Sequence, residues 1–271
     1  PVGALNNKPY RYSARSWEMI QYETIAPHDC VGSNLYAHVL RGRIKRIVPR
    51  ENEAINETWI ADRDRFSYEG IYSPERLKNP KLKVNNEWKD IHWEQALNIV
   101  VEQINSADKD QISLLASPSS TTEEFYLLSK IADGLGVNNL DHRLRRTDFS
   151  DQDNDPIAPW LGTSISDIES CKSIILIGSD IRKEAPIIAH RIRKSALNGS
   201  QVSFINSEFS DYFFDVSSYM TDDILESLCT LMRALKIKLS NGAASIESSM
   251  SKSDDSEAIA KSLSSEGDNL I

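Results

Sequence analysis

Apolar and polar positions follow a short period in the first part of the chain and a longer one beyond it. Leu35 to Leu40 and Ile44 to Val48 are β-rich segments on either side of Arg41-Gly42-Arg43, which predicts a hairpin whose Gly takes a positive φ. Lys81 to Val84 and Glu87 to Ile91 repeat the arrangement around Asn85-Asn86, a dipeptide that tolerates tight turns. Between the two hairpins, Asn56 to Phe66 reads as a short helix. From His92 the period changes: Trp93, Ala96, Leu97, Val100, Val101 and Ile104 recur at three- and four-residue spacing, which predicts a helix with one buried stripe. The apolar run Ile112 to Ala116 follows, and then Ser117 to Glu124, where hydroxyls precede paired acids as they do at helix starts. That helix is expected to run to Gly134 or Gly136.

A second cycle has Ser173 to Gly178 as strand, Ala185 to Leu197 as helix with Gly199 as its stop, and Gln201 to Ile205 as strand. Near-continuous apolar strands alternating with helices predict a parallel sheet covered by helices. Thr221 is expected to open a further helix through Leu239. After it the composition shifts: residues 240–271 include ten Ser and few apolar groups, which reads as a weakly structured tail or linker. The expected organisation is a small β-rich module over 1–90, an α/β domain over 91–239 and the Ser-rich tail over 240–271.

The charge balance narrows the partners. The chain has 271 residues, 31 Lys and Arg against 40 Asp and Glu, and a net charge of −9. This argues against nucleic acid, whose phosphates need a basic footprint. No apolar run approaches the roughly 20 residues that span a bilayer, so no direct membrane insertion is expected. Cys30, Cys171 and Cys229 are too few and too scattered for a disulfide framework or a four-thiolate metal site. With Pro1 first and a Ser-rich stretch last, the chain reads as a piece cut from a longer protein at both ends.

Candidate chemistry is sparse. The Ser117 to Glu124 loop lies where a parallel sheet places ligands, and it reads either as a phosphate cradle or as a simple N-cap. Gly134-Leu135-Gly136 follows a helix and lacks the third Gly of a dinucleotide fingerprint. Asp141-His142-Arg143-Leu144-Arg145-Arg146 offers an Arg pair for an anion, or a salt-bridge network with Asp148, Asp151, Asp153 and Asp155. His28, His38, His92 and His190 are dispersed, none at metal spacing from another His or Cys, and His190 reads as a packed or capping residue. Glu123-Glu124 and Asp222-Asp223 fall at helix starts, where capping accounts for them. These residues by themselves support no catalytic site.

Pro1-Val2-Gly3-Ala4-Leu5, Lys8-Pro9-Tyr10 and Ala14-Arg15-Ser16-Trp17-Glu18 resemble the family of large iron–sulfur subunits of respiratory NADH:quinone oxidoreductase, the G-type subunits of complex I. The similarity continues through Val31 to Asn34, Arg46 to Arg50, Asn56 to Ile60 and Asp62 to Phe66, and covers about residues 1 to 215. It implies that Pro1, Val2, Gly3 and Ala4 sit beside a [4Fe–4S] cluster bound upstream. The related pattern Cys-x2-Cys-x3-Cys-x27-Cys falls on Ala26, Asp29, Ser33 and Ala61, so a second, vestigial cluster site is expected to be empty, with Cys30 a packed small side chain. Ser117 to Gly136 with Asn138 to Asp141, and Ile177 to Asp180 with Ala189 to Arg193, are similar to the dinucleotide-like half of molybdopterin oxidoreductases. Between Leu140 and Leu161 that family's metal-holding Cys is missing, and Ser150 is the one hydroxyl of that kind.

The resemblance implies an α/β fold: a small β-rich module of the degenerate 4Fe-4S Mo/W bis-MGD type, followed by a mostly parallel α/β sheet domain of molybdopterin oxidoreductase type. It implies a structural part of the large iron–sulfur subunit that shields the electron path and contacts other peripheral-arm subunits, the oxidoreductase being the whole complex. It further implies no cofactor in this chain, with 4Fe-4S and 2Fe-2S clusters upstream in the parent subunit. The place implied is the cytoplasmic side of the bacterial inner membrane or the mitochondrial matrix side. An active molybdopterin-dependent domain and a freestanding nucleotide-binding module are the alternatives.

Overall fold

A computed structural model describes residues 7–143, 150, 152–154, 156, 160–237, 253–265 and 267–271. In chain order its elements are β1 (Ile20–Ile25), β2 (Asn34–Leu40), β3 (Arg43–Pro49), α1 (Asp62–Phe66), β4 (Lys81–Val84), β5 (Glu87–Asp90), α2 (Trp93–Ser106), β6 (Leu114–Leu115), α3 (Thr122–Leu135), β7 (Leu140–Asp141), β8 (Ser173–Ile177), α4 (Ile181–Glu184), α5 (Pro186–Leu197), β9 (Gln201–Ile205), β10 (Ser218–Met220), α6 (Ile224–Ala234), α7 (Asp254–Leu263) and β11 (Asn269–Leu270). They fall into two compact units, residues 1–66 with 160–271, and residues 67–159.

In the first unit, β1, β2 and β3 form an antiparallel sheet in that order. Arg41 and Gly42, at φ +51° and +73°, make the two-residue turn that matches strand twist. Leu35 and Ala37 of β2 and Ile47 of β3 point inward, whereas all six residues of β1 are exposed. Ile20 and Tyr22 alternate with Gln21 and Glu23 over only four residues, too short a run to stand out in the sequence. The helix expected over Asn56 to Phe66 is shortened to α1. Asn56 is the cause: its buried amide accepts from Asn34 N at 2.9 Å and donates to the Arg50 and Trp59 carbonyls at 3.1 Å, which holds the preceding segment as a loop.

The rest of this unit is a three-layer α/β assembly. Its four strands run parallel in the order β10-β9-β8-β11, so from β8 the chain proceeds to one side and returns with β11 on the other. Successive strand residues point to opposite faces. Ile174, Leu176, Val202 and Phe204 pack with Ile187 and Ile192 of α5, and Val31 of the β module joins them. Ile175 and Ile205 meet Leu231 of α6 and Ile259 of α7 on the other face. Covering both faces is what parallel strands with continuous apolar runs require. Helix α6 begins after Asp223, not at Thr221, because the Asp223 carboxylate accepts from Leu225 N at 3.0 Å and Glu226 N at 3.1 Å.

Residues 253–265 and 267–271 do not match the weakly structured tail expected from composition. Ser253 caps α7, Ile259 and Ala260 are buried, and β11 pairs with β8. Small serines let this amphipathic helix lie close to the sheet, as the Ser262 hydroxyl accepting from Ser173 at 3.0 Å shows.

The second unit carries the hairpin of β4 and β5, turned by Asn85 and Asn86 at φ +52° and +68°, together with α2, α3 and the parallel pair β6 and β7. A capping box opens α3: Thr121 Oγ1 accepts from Glu124 N at 3.2 Å and Glu124 Oε2 from Thr121 N at 2.8 Å. Gly136, at φ +67°, closes it. Helix α2 buries none of its residues.

These units cut the chain differently from the 1–90 and 91–239 division. Two bridges from the β module explain it: Arg63 donates to the Lys183 and Glu184 carbonyls at 2.8 and 2.7 Å, and Glu57 pairs with α5. Both join residues more than 100 positions apart, which local composition does not register.

Candidate functional site

Ala26, Asp29, Ser33 and Ala61, the positions on which the family's cysteine pattern is expected to fall, lie on one loop and just before α1. Ala26 N donates to the Ser33 carbonyl at 2.9 Å, closing the loop, and Ala26, Ser33 and Ala61 are buried. Asp29 turns inward, its Oδ1 taking Val31 N–H at 3.0 Å and its Oδ2 the Arg63 guanidinium at 2.8 Å. One residue before it, His28 Nδ1 lies 2.5 Å from Oδ1 of the fully buried Asp64 carboxylate. Loop and helix are thus fastened by two polar pairs across the place the family's cluster would take.

The donor set there does not fit an iron–sulfur cluster. It consists of two methyl groups, one hydroxyl and a carboxylate already committed to a guanidinium, where iron needs thiolates. Cys30, expected as a packed small side chain, is exposed instead, because Asp29 and Val31 on either side take the inward positions. The cluster-adjacent residues Pro1, Val2, Gly3 and Ala4 lie outside the described residues.

A larger polar cluster joins the β module to α5. Glu57, at φ +49°, receives His190 Nε2 at 2.9 Å, Lys194 Nζ at 2.5 Å and Arg191 Nη1 at 3.2 Å. Arg191, 3% exposed, also pairs with Glu169 and donates to the carbonyls of Glu53 and Ile55. Lys194 completes the set at 2.7 Å from Glu169, and Trp59 packs on His190 with ring centroids 5.0 Å apart. The Lys194 hydrogen bond holds the Glu57 carboxyl below the ordinary carboxylate range against the opposing effect of burial. Burial pushes Glu169 upward, but its bonds to Lys194 and Arg191 outweigh this and leave it lowered as well. Sequence reading missed this cluster, since Glu57 and His190 stand 133 positions apart. His190 among the apolar Ile187, Ile188 and Ile192 was its one local sign.

In a doubly wound sheet, ligands approach the carboxyl ends of the strands where the order reverses. At the end of β8, Gly178 takes φ +66° and leads into Ser179 and Asp180. The polar groups of this turn are already engaged. Ser179 N donates to Asn206 Oδ1 and Asn206 Nδ2 returns a bond to the Ser179 carbonyl, both at 3.0 Å. The Ser179 hydroxyl donates to Glu184 at 2.6 Å, and Asp180 pairs with Lys183 at 2.7 Å. A turn whose amide is taken by Asn206 and whose neighbours are carboxylates does not fit the pyrophosphate of a pterin dinucleotide.

The remaining candidates resolve into local structure. In the Ser117 to Glu124 segment, Thr121 and Glu124 form the capping box of α3 and Ser117 Oγ accepts from Ser119 N at 3.2 Å. Asp141 Oδ1 accepts from the amides of His142 and Arg143 and from Arg143 Nε, the Arg143 amide being the strongest influence holding its carboxyl low. Arg145 and Arg146, with Asp148, Asp151 and Asp155, lie outside the described residues. His38 accepts from Arg46 Nε at 3.0 Å and is pushed down by burial and by that cation, and His92 precedes α2. Among the described residues no group of three or more His, Cys, Asp or Glu is placed to hold a metal ion.

Comparison with known proteins matches these elements. The molybdopterin oxidoreductase family matches residues 76–246, and the NADH-ubiquinone oxidoreductase NDSU1/NuoG-like 4Fe-4S domain matches residues 20–69. The chain is 35% identical over 202 residues to the G-type subunit of NADH-quinone oxidoreductase from Rickettsia typhi, covering 74% of this chain and 29% of that protein. It is 34% identical over 218 residues to the NADH-ubiquinone oxidoreductase 75 kDa subunit of Reclinomonas americana, 74% and 30% of the two chains. Against the mitochondrial 78 kDa subunit of Candida albicans it is 29% identical over 268 residues, 96% and 37%. The chain therefore spans about a third of the length of the curated relatives it matches. It belongs to the molybdopterin oxidoreductase family, and the relatives it is similar to are G-type or 75 kDa subunits of NADH-quinone oxidoreductase.

Proposed function

We propose that this chain is a structural part of the G-type subunit of respiratory NADH:quinone oxidoreductase, which shields the electron path and contacts neighbouring subunits of the peripheral arm. On this reading its inherited iron–sulfur and molybdopterin sites are lost, and any clusters of the parent subunit are bound outside this chain. The observation that carries it is the junction of the 26–33 loop with α1. There a part-buried Asp29–Arg63 pair and the His28–Asp64 contact stand across the cluster positions, and none of the four positions is a cysteine. Burial and hydrogen bonding around a cluster tune its potential, so a domain without redox groups still shapes transfer next to it. Among the described residues no helix is long and apolar enough to cross a membrane, which suits a peripheral place on the cytoplasmic or matrix side.

The test is metal analysis of the chain purified without oxygen and dialysed. The expected result is iron, molybdenum and tungsten all far below stoichiometric amounts. Brown protein retaining about four irons per chain, or one molybdenum or tungsten, overturns the proposal.

A further inference from the structure

The loop between β9 and β10, residues 206–217, joins two parallel strands without a helix and is braced along its length. Asn206 is bonded to Ser179 in both directions. The Tyr219 hydroxyl accepts from Ser210 N at 3.2 Å and donates to the Glu208 carbonyl at 2.9 Å. Tyr212 stacks on the buried Phe204 with centroids 4.3 Å apart and 16° between planes. So held, the loop keeps Phe209 and Phe213 in water, 69% and 71% exposed. Phe213 adjoins the partly exposed Phe214, so the loop presents neighbouring apolar groups to one cleft and not a single scattered side chain.

Two arginines bracket Phe213. Arg182 Cζ lies 4.4 Å from its ring centroid while Nη1 donates to the Asp211 carbonyl at 3.0 Å, and Arg193 Nε donates to the Phe213 carbonyl at 3.3 Å. Each carbonyl engages one of a guanidinium's five N–H donors. Between α5 and the loop these groups line a cleft of about 220 Å³ with Phe214, and its lining contains no carboxylate although the chain carries 40 acids against 31 bases. Arginine beside aromatic rings is the composition of interface anchors.

We propose that this cleft docks an acidic segment of another protein chain, a carboxylate meeting Arg182 and Arg193 while an adjoining apolar side chain packs on Phe213 and Phe214. The cleft is below the roughly 300–1,000 Å³ of small-molecule sites. A second copy of this chain in an isologous contact would set the same arginines near each other, and nucleic acid is disfavoured by the net charge of −9. The inference rests on the reading that the chain works inside an assembly and names the chemistry of one neighbour.

The experiment uses the full-length parent subunit in its assembled complex, with photoreactive p-benzoylphenylalanine in place of Phe213. The expected product is a cross-link to a different polypeptide at a segment where Asp or Glu adjoins an apolar residue. Cross-links confined to the subunit's own polypeptide, to a segment without an acid, or absent altogether overturn the proposal. As a second readout, Arg182→Glu with Arg193→Glu is expected to weaken association of the folded subunit about 30-fold, the effect of losing one anchor. Unchanged association counts against it. If the wild-type subunit co-purifies with no peripheral-arm subunit, the functional reading fails and this inference falls with it. If it co-purifies and the Phe213 probe leaves other chains unlabelled, only the docking inference fails.

Discussion

Arg191 is a buried side chain on which four polar groups converge. It sits between the Glu57 and Glu169 carboxylates and the carbonyls of Glu53 and Ile55, almost out of water. Replacing one member of a buried pair leaves its partners desolvated, which costs more than the pair contributes by forming. Arg191→Met is expected to destabilise by about 3 kcal/mol, the low end of that range, because both carboxylates keep Lys194 and some water. Urea unfolding measures it, and a loss under about 0.5 kcal/mol would reduce the cluster to surface decoration. Its pH response has a definite sign. Glu57 and Glu169 are lowered in the folded state, so their contribution is present above the unfolded value of about 4.3 and is lost as pH falls through the folded ones. Lys194 is raised, chiefly by its bonds to Glu169 and Glu57, so its contribution is present below about 10.4 and is lost as pH rises through the folded value. The cluster's own contribution to the urea midpoint should therefore be constant between these limits and fall on both sides, while the lowered His38 adds a separate loss as pH falls below about 6.5. Glu57→Gln should flatten the acid limb, and an unaltered acid limb in that variant would count against the assignment.

Among the elements, those with a local cause were legible in the sequence. The Arg41-Gly42 and Asn85-Asn86 turns, the Thr121/Glu124 capping box and the Gly136 stop are written in three or four adjacent residues, and each is found where its chemistry placed it. Elements whose limits depend on distant partners were not. Asn56 shortens α1 by reaching back to Asn34 and Arg50, β1 alternates over too short a run to stand out, and α7 gains its buried face from β8 and β10 strands that lie far back in the chain. The start of α6 gives a clean test between a hydroxyl and a carboxylate two residues apart. Asp223→Ala removes the group that holds the Leu225 and Glu226 amides and should cost about 1 kcal/mol. Thr221→Ala should be within about 0.5 kcal/mol of wild type, since Thr221 lies outside the helix and is exposed. Equal losses in thermal unfolding of the two variants would mean that the helix begins where the sequence alone suggested.

At the scale of the whole molecule, what the sequence disclosed about the site was which ligands are missing, not what stands in their place. Ala26, Asp29, Ser33 and Ala61 are readable as positions without cysteine, but Arg63 turning to Asp29 and Asn206 closing the turn after β8 depend on how loops meet. The same limit applies to the compact units, whose division follows long-range pairs instead of composition. The two units differ in what holds them. The first buries Ile174, Val202, Phe204, Ile205 and Ile259 almost completely, so its strands are expected to open only with global unfolding. In the second, the stripe of Trp93, Leu97, Val100 and Val101 that shaped α2 in the sequence faces water, and a helix of 14 residues without packing is marginal. Hydrogen exchange should then find the α2 amides exchanging roughly a hundredfold faster than those of β8 and β9. If α2 were protected as strongly as the central strands, its apolar stripe would have to be covered.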